Sequence, residues 1–234
     1  MMLAVDFHTA LGLVTGESGT GKTLVTQLLL QSFDESKVCA VLVLVTPGLS
    51  KTGLLREILS ELNLALPIGV SRVQDLVKLL ANHVIDLHAQ ERHLVIVIDE
   101  CHLLSSDCLH VLRTLSNIET PRQKLVTCLL FGEARFAQRL QHPSYDALRN
   151  RIYLRGTLEP LTPAEAAQYL QFRLMSAGRL QELFTEGALS AIHRHAQGIC
   201  RNVNKLAMLS LIEGAQAHLP RIDETVVAAA AKRM

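Results

Sequence analysis

Tryptophan is absent from this 234-residue chain, and aromatic residues make up only 4% of it. Aliphatic side chains must therefore fill its core, and at 49% apolar residues there are enough of them. An excess of one charge is also lacking: 23 Lys and Arg against 22 Asp and Glu leave a net charge of +1. That balance excludes a global field drawing the molecule to nucleic acid or anionic lipid, but it leaves room for local patches. The longest purely apolar run, Val38 to Val45, falls far short of the ~20 residues that a membrane-spanning helix needs. The start has no basic segment of the kind that opens a secretory signal. Five cysteines, an odd number without framework spacing, exclude a disulfide scaffold and point to a reducing cytosol. Cys101 and Cys108 lie near His102 and His110 but not at CxxC spacing, so buried free thiols are expected rather than zinc ligands. There are no internal repeats and no low-complexity linkers.

What is present begins with Gly16-Glu17-Ser18-Gly19-Thr20-Gly21-Lys22-Thr23. A short apolar run, Leu11 to Thr15, precedes it, and a helical pattern opening at Leu24 follows it to about Phe33. A chance glycine loop at a strand–helix junction is the bland alternative. Strand, glycine-rich loop ending in Lys-Thr, then helix is the context that makes GxxxxGKT a phosphate site. Glycines let backbone N–H groups turn inward on an anion without Cβ interference, and the helix offers its positive end to the same phosphates. Residues Gly16 to Leu24 are thus expected to cradle a nucleoside triphosphate, with Lys22 on the β- and γ-phosphates and the Thr23 hydroxyl on Mg²⁺. Almost nothing precedes the first strand to hold the adenine, which points to a piece of a longer chain or to a loosely held base.

The second landmark is Leu94-Val-Ile-Val-Ile-Asp99-Glu100, a β-branched run that delivers two carboxylates at its C-terminal end. An acidic pair there is also an ordinary helix-start signal. Alongside a phosphate loop it predicts Asp99 in the Mg²⁺ shell and Glu100 polarising the attacking water. His102 reads as a neighbour of this site, not a ligand.

Other elements follow from pattern. Ala40 to Val45 reads as a strand buried on both faces. Ser50 caps a helix with Leu54, Leu55, Ile58, Leu59 and Leu62 on one side. Ser71 and Gln74 form a capping box for a helix to about Gln90. A helix from Ser105 or Ser106 to about Asn117 precedes the strand Leu125–Phe131, and Ile152–Leu154 reads as a short fifth strand. Around it lies a basic cluster of Arg135, Arg139, Arg149, Arg151 and Arg155, with Asp146 as the only acid among them. Beyond Leu158 no strand pattern occurs. Thr162-Pro163-Ala164-Glu165 is a strong helix start, and further helices are expected near 186–197 and 201–217, with Asp223 capping a last one. The fold class is α/β, a parallel-sheet P-loop core over residues 1–157 with a small all-helical lid over 158–234.

Taken together, this phosphate loop, the Asp-Glu strand and the helical lid resemble an AAA+ ATPase. The segments Asp99-Glu-Cys-His102, Leu115-Ser-Asn-Ile-Glu-Thr120, the Gly132 turn, Leu148-Arg-Asn-Arg-Ile152 and Gly198-Ile-Cys-Arg-Asn-Val-Asn204 occur in order. That series resembles the ExeA/GspA family, the general secretion pathway protein A ATPases, and more weakly the TnsC/TniB/MuB-type transposition regulators. The resemblance implies ATP hydrolysis coupled to self-association, in a ring or a smaller oligomer. It also implies a cytoplasmic domain of a longer inner-membrane protein in type II secretion, with a GspB-type membrane partner; the weaker resemblance would imply duplex DNA instead. It further implies that Arg149 or Arg151 is the finger reaching a neighbour's γ-phosphate and that Arg201 is the lid arginine. Arg201 stands in a Gly-x-Cys-Arg segment where the family usually has Gly-x-Pro-Arg. Glu133 stands where the family more often carries an amide sensor, and a carboxylate there would repel a γ-phosphate unless protonated or turned towards Mg²⁺.

Overall fold

Two strands, the β-branched run β3 (His93–Asp99) and the largely apolar β4 (Val126–Gly132), are buried at every position. That burial requires each to be flanked by strands and covered by helices on both faces. The computed structural model, which describes every residue except Ile68 and Leu180, places them in a five-stranded sheet with order β2-β3-β4-β1-β5. Here β1 is Leu11–Gly16, β2 is Val38–Leu44 and β5 is Ile152–Leu158. Strand β4 pairs in parallel with both β3 and β1, with Ile98 opposite Leu130 and Thr15 opposite Gly132. The C-terminal ends of β1 and β3, which carry the two landmarks, therefore stand on either side of the end of β4. Ligands of open parallel sheets bind at these strand ends.

The sheet and its helices make one compact unit, Met1–Gly16 with Lys22–Thr157. Its helices are α1 (Met2–Asp6), α2 (Lys22–Ser32), α3 (Lys51–Glu61), α4 (Val73–Ala89), α5 (Ser106–Leu115), α6 (Ala134–Arg139) and α7 (Asp146–Arg149). Leu54, Leu55, Ile58 and Leu59 of α3 and Leu76, Leu80, Val84 and Leu87 of α4 join the strands in a single aliphatic core. Ser50 caps α3 through Gly53 N–H, and Ser105 caps α5 through Cys108 N–H. No described helix is long and apolar enough to cross a membrane.

Several expectations need correction. Strand β2 is at the sheet edge, so Val41 and Val43 are buried while Leu44 is 61% exposed. The run is apolar, yet only one neighbour covers it. The expected Ser71–Gln74 capping box is not formed, because α4 starts one residue later with Arg72 as its N-cap and no side-chain cap. Strand β5 is longer than Ile152–Leu154, and α2 starts at Lys22, before Leu24. The short α1 was not anticipated: a single turn with no side-chain cap leaves little sequence signal.

The second unit comprises Leu158–Met234 together with Glu17–Gly21. Its helices are α8 (Pro163–Ser176), α9 (Glu186–Ala196), α10 (Cys200–Gln216) and α11 (Glu224–Ala231). Thr162 and Glu165 form the full capping box at α8, with Pro163 in the first turn, and Asp223 caps α11 through Thr225 and Val226 N–H. Its small core is mostly alanine and aliphatic residues, including Ala188, Ile192, Val203, Leu206 and Val227. One β-bridge, Phe184 with Ile222, is present where no strand was expected.

At the opposite end of the sheet from the phosphate loop, the start of β3 carries a buried polar chain. The Thr127 hydroxyl donates to the Thr9 carbonyl at 2.7 Å, so it accepts from His93 Nε2 at 2.9 Å. His93 Nδ1 is then an acceptor for His8 Nδ1–H at 3.0 Å. Burial, reinforced by His8 and His88, lowers the pKa of His93 from 6.5 to about 4. Between those two pH values the unfolded chain binds a proton that the folded chain refuses, so stability falls as pH drops through that window. Urea unfolding at pH 7 and pH 4.5 should show a loss on the order of 2 kcal/mol from this group, and His93→Gln should remove most of that slope.

Candidate functional site

The loop between β1 and α2 turns on two glycines in the left-handed region, Gly19 at φ +88° and Gly21 at φ +106°. Around Gly21 nothing lies within 4 Å of where a Cβ would project. Open space beside a positive-φ glycine at a helix start leaves room for an anion to reach the backbone amides. Glu17 O accepts from Thr20 N at 3.3 Å and from Thr20 Oγ1 at 2.9 Å, which tightens the turn. Lys22 is only 6% exposed and lies back along the loop, donating from Nζ to Gly16 O at 3.1 Å. Leu24, also expected to contribute, is exposed on α2.

Within the second unit, Glu17–Gly21 meet the start of α10. Arg201 N donates to Gly19 O at 3.1 Å, Arg201 Nη1 to Ser18 Oγ at 3.2 Å, and Cys200 Sγ approaches Thr20 O at 3.7 Å. A methyl on Gly19 would lie 2.9 Å from Arg201 Cβ and 3.0 Å from Ile199 Cγ2. Glycine at this position thus satisfies both a dihedral and a packing limit.

The acids come from the end of β3. Asp99 is 2% exposed; its Oδ2 accepts from Thr23 Oγ1 at 2.8 Å and its Oδ1 from Glu100 N at 2.9 Å. Mg²⁺ takes hard oxygen donors, and the Thr23 hydroxyl and Asp99 carboxylate, brought together by their hydrogen bond, fit it in donor type. Glu100 follows with φ +55°, ψ 34°, a left-handed backbone that costs a non-glycine residue of order 1 kcal/mol.

Residues Cys101–Leu103 then form a single 3-10 turn pressed against the end of β4. A Cβ at Gly132 would lie 2.6 Å from Cys101 Sγ and 3.2 Å from His102 N. This close approach sets His102, with its side chain 5% exposed, between Glu100 and Glu133. Glu133 itself is answered by Arg135, Nε to Oε2 at 2.8 Å, so its carboxylate sits in a charge-paired setting. The sequence identified Glu133 only as an oddity, since nothing in the spacing announces the His102 contact.

The basic cluster is largely committed within the protein. Arg139 donates to Leu104 O and to Tyr145 OH. Arg149 pairs with Asp146 at 2.7 Å and donates to Leu140 O and Gln141 O, and Arg155 donates to Arg149 O. Among the described residues, Arg151 makes no side-chain hydrogen bond or ion pair. The cysteines are free. Burial raises Cys101 well above its ordinary value and Cys128 to about 12, as unreactive core thiols. Cys108 Sγ contacts Leu49 O and Ser105 Oγ, and among the described residues no histidine joins it.

A family described as "AAA domain" matches residues 5–140. General secretion pathway protein A from Aeromonas hydrophila is 35% identical over 203 residues, 86% of this chain and 36% of that protein. The chain thus spans about a third of the length of this curated relative. Among solved structures, Cdc6p from Pyrobaculum aerophilum has a TM-score of 0.77 at 19% identity over 99% of this chain and 64% of that one. The Aeropyrum pernix ORC2 protein in its ADPNP–ADP complexes has a TM-score of 0.70 at 14% identity over 97% and 63%. These structural neighbours share the fold.

Gly19→Ala should be poorly tolerated. The methyl is strained at φ +88° and meets Arg201 Cβ, so a loss of about 1–3 kcal/mol is expected in urea unfolding.

Proposed function

The chain belongs to the AAA domain family, and from that premise we propose that it binds and hydrolyses ATP and that its nucleotide state governs assembly. The family's P-loop fold implies ATP binding. The observation that carries the hydrolytic reading is Thr23 Oγ1 at 2.8 Å from the buried Asp99, in the same unit as Lys22, whose Nζ donates to Gly16 O. Main-chain amides of residues 16 to 21 and Lys22 Nζ hold the β- and γ-phosphates. Thr23 and Asp99 would hold Mg²⁺, which would neutralise charge on the phosphate oxygens. Glu100 accepts a proton from water as its oxygen attacks the γ-phosphorus. The bond to the β–γ bridging oxygen breaks, releasing ADP and phosphate. Arg201, hydrogen-bonded to Ser18 within the second unit, reports phosphate occupancy to the helical residues.

For the arginine supplied to a neighbouring copy, Arg151 is the better assignment than Arg149, because Arg149 is committed to Asp146 and two carbonyls. We place the domain on the cytoplasmic side, working with a membrane partner of GspB type as the resemblance implies. A duplex-DNA role gains no support from the arginine cluster, most of which is used internally.

Two substitutions separate the steps. Lys22→Ala should weaken ATP binding by at least tenfold in calorimetry with Mg²⁺. Glu100→Gln should bind ATP with wild-type affinity while phosphate release falls by roughly 10²–10⁴-fold. Normal turnover in Glu100→Gln would remove it from the mechanism. If the finger acts between copies, phosphate release per protomer should rise with protein concentration and stay low in Arg151→Ala.

A further inference from the structure

The turn after β3 holds one imidazole between two carboxylates. His102 Nδ1 is 3.3 Å from Glu100 Oε2, while Nε2 is 3.8 Å from Glu133 Oε1. Glu133 N–H also points at Nδ1, at 3.4 Å. We propose that His102 is the positioning residue for Glu100, and that it ties the base to Glu133 at the end of β4. This rests on the assignment of Glu100 as base.

The case is geometric. Gly132 lets β4 close on Cys101 and His102, which fixes the ring in place with 5% of the side chain exposed. Glu100 stands on a left-handed backbone with a side chain 45% exposed. Its carboxylate needs an external partner to stay aimed, and His102 is the side chain that contacts it. A neutral imidazole has one N–H. With the proton on Nδ1 the ring holds Glu100. With the proton on Nε2 it faces Glu133, while Nδ1 accepts Glu133 N–H and releases Glu100. The choice of ring nitrogen thus couples the state of the β4 end, where Glu133 also meets Arg135, to the orientation of the base.

The same three groups offer ligand atoms within 4.8 Å of one another, which raises a second cation as the competing account. The geometry disfavours it: the two carboxylates face opposite nitrogens, and the Nδ1 lone pair is already opposed by a backbone N–H.

The test uses the whole chain with His102→Ala, His102→Gln, Glu133→Gln and the double variant His102→Ala/Glu133→Gln. Phosphate release and ATP affinity are measured separately. His102→Ala should lower turnover by roughly 10–100-fold, as misplacing a reacting group does, with ATP affinity changed less than threefold. His102→Gln, which keeps a donor, should recover part of the rate. Glu133→Gln should alter the rate only while His102 is present, so that the double variant matches His102→Ala alone. Unchanged turnover in His102→Ala, or additive losses in the double variant, would overturn the proposal while leaving the ATPase reading intact. Equal losses of ATP affinity and turnover would mean a merely structural role. Saturable binding of zinc to the nucleotide-free chain, abolished by His102→Ala, would reassign the three groups to a cation site. A wild-type chain that binds ATP without hydrolysing it at any concentration would sink both this proposal and the hydrolytic reading.

Discussion

The contact on which the site depends is a single hydrogen bond, Thr23 Oγ1 to Asp99 Oδ2. It joins the first turn of α2 to the last residue of β3, two points 76 residues apart in the chain. The bond exists because β4 intervenes between β1 and β3 with a register that brings all three strand ends level. Slipping one strand by a residue would turn its side chains to the other face of the sheet and separate the hydroxyl from the carboxylate. The uninterrupted burial of β3 and β4, mostly through aliphatic side chains, holds that register, so core packing and site geometry are one constraint.

Around this contact the protein tolerates local strain. Glu100 has a left-handed backbone without being glycine, and Asp99 is buried almost completely. Burying a carboxylate is costly unless its oxygens are satisfied, and here both accept hydrogen bonds. Gly132 plays the matching part on β4, since any side chain there would push away the turn that carries His102. Two backbone positions of unusual geometry or contact in the first unit, Glu100 and Gly132, thus lie beside the buried carboxylate, and strain of this kind is commonly kept at functional sites.

Much of the fold was legible because its signals are local. A continuous apolar run reads as a buried strand, and this holds for β3 and β4. The same signal misled at β2, whose Leu44 is exposed at the edge; strand order is set by pairing partners far along the chain. Caps at Ser50, Ser105, Thr162 and Asp223 were readable because a side chain and an N–H three residues on form the motif unaided. The Ser71 cap failed because the helix starts one residue later, with Arg72 in the N-cap position, which leaves Ser71 outside it. The arginine-rich stretch looked like an exposed patch because its acceptors are mostly carbonyls and a tyrosine that no charge count includes.

Residue order alone determined the phosphate loop, the acidic pair and the alternation of strands and helices, since each is written in contiguous residues whose conformational preferences need no distant partner. Tertiary structure alone decided that Thr23 meets Asp99 and that His102 lies between Glu100 and Glu133. Those facts depend on which strand ends adjoin, and adjacency follows from burying the whole sheet at once.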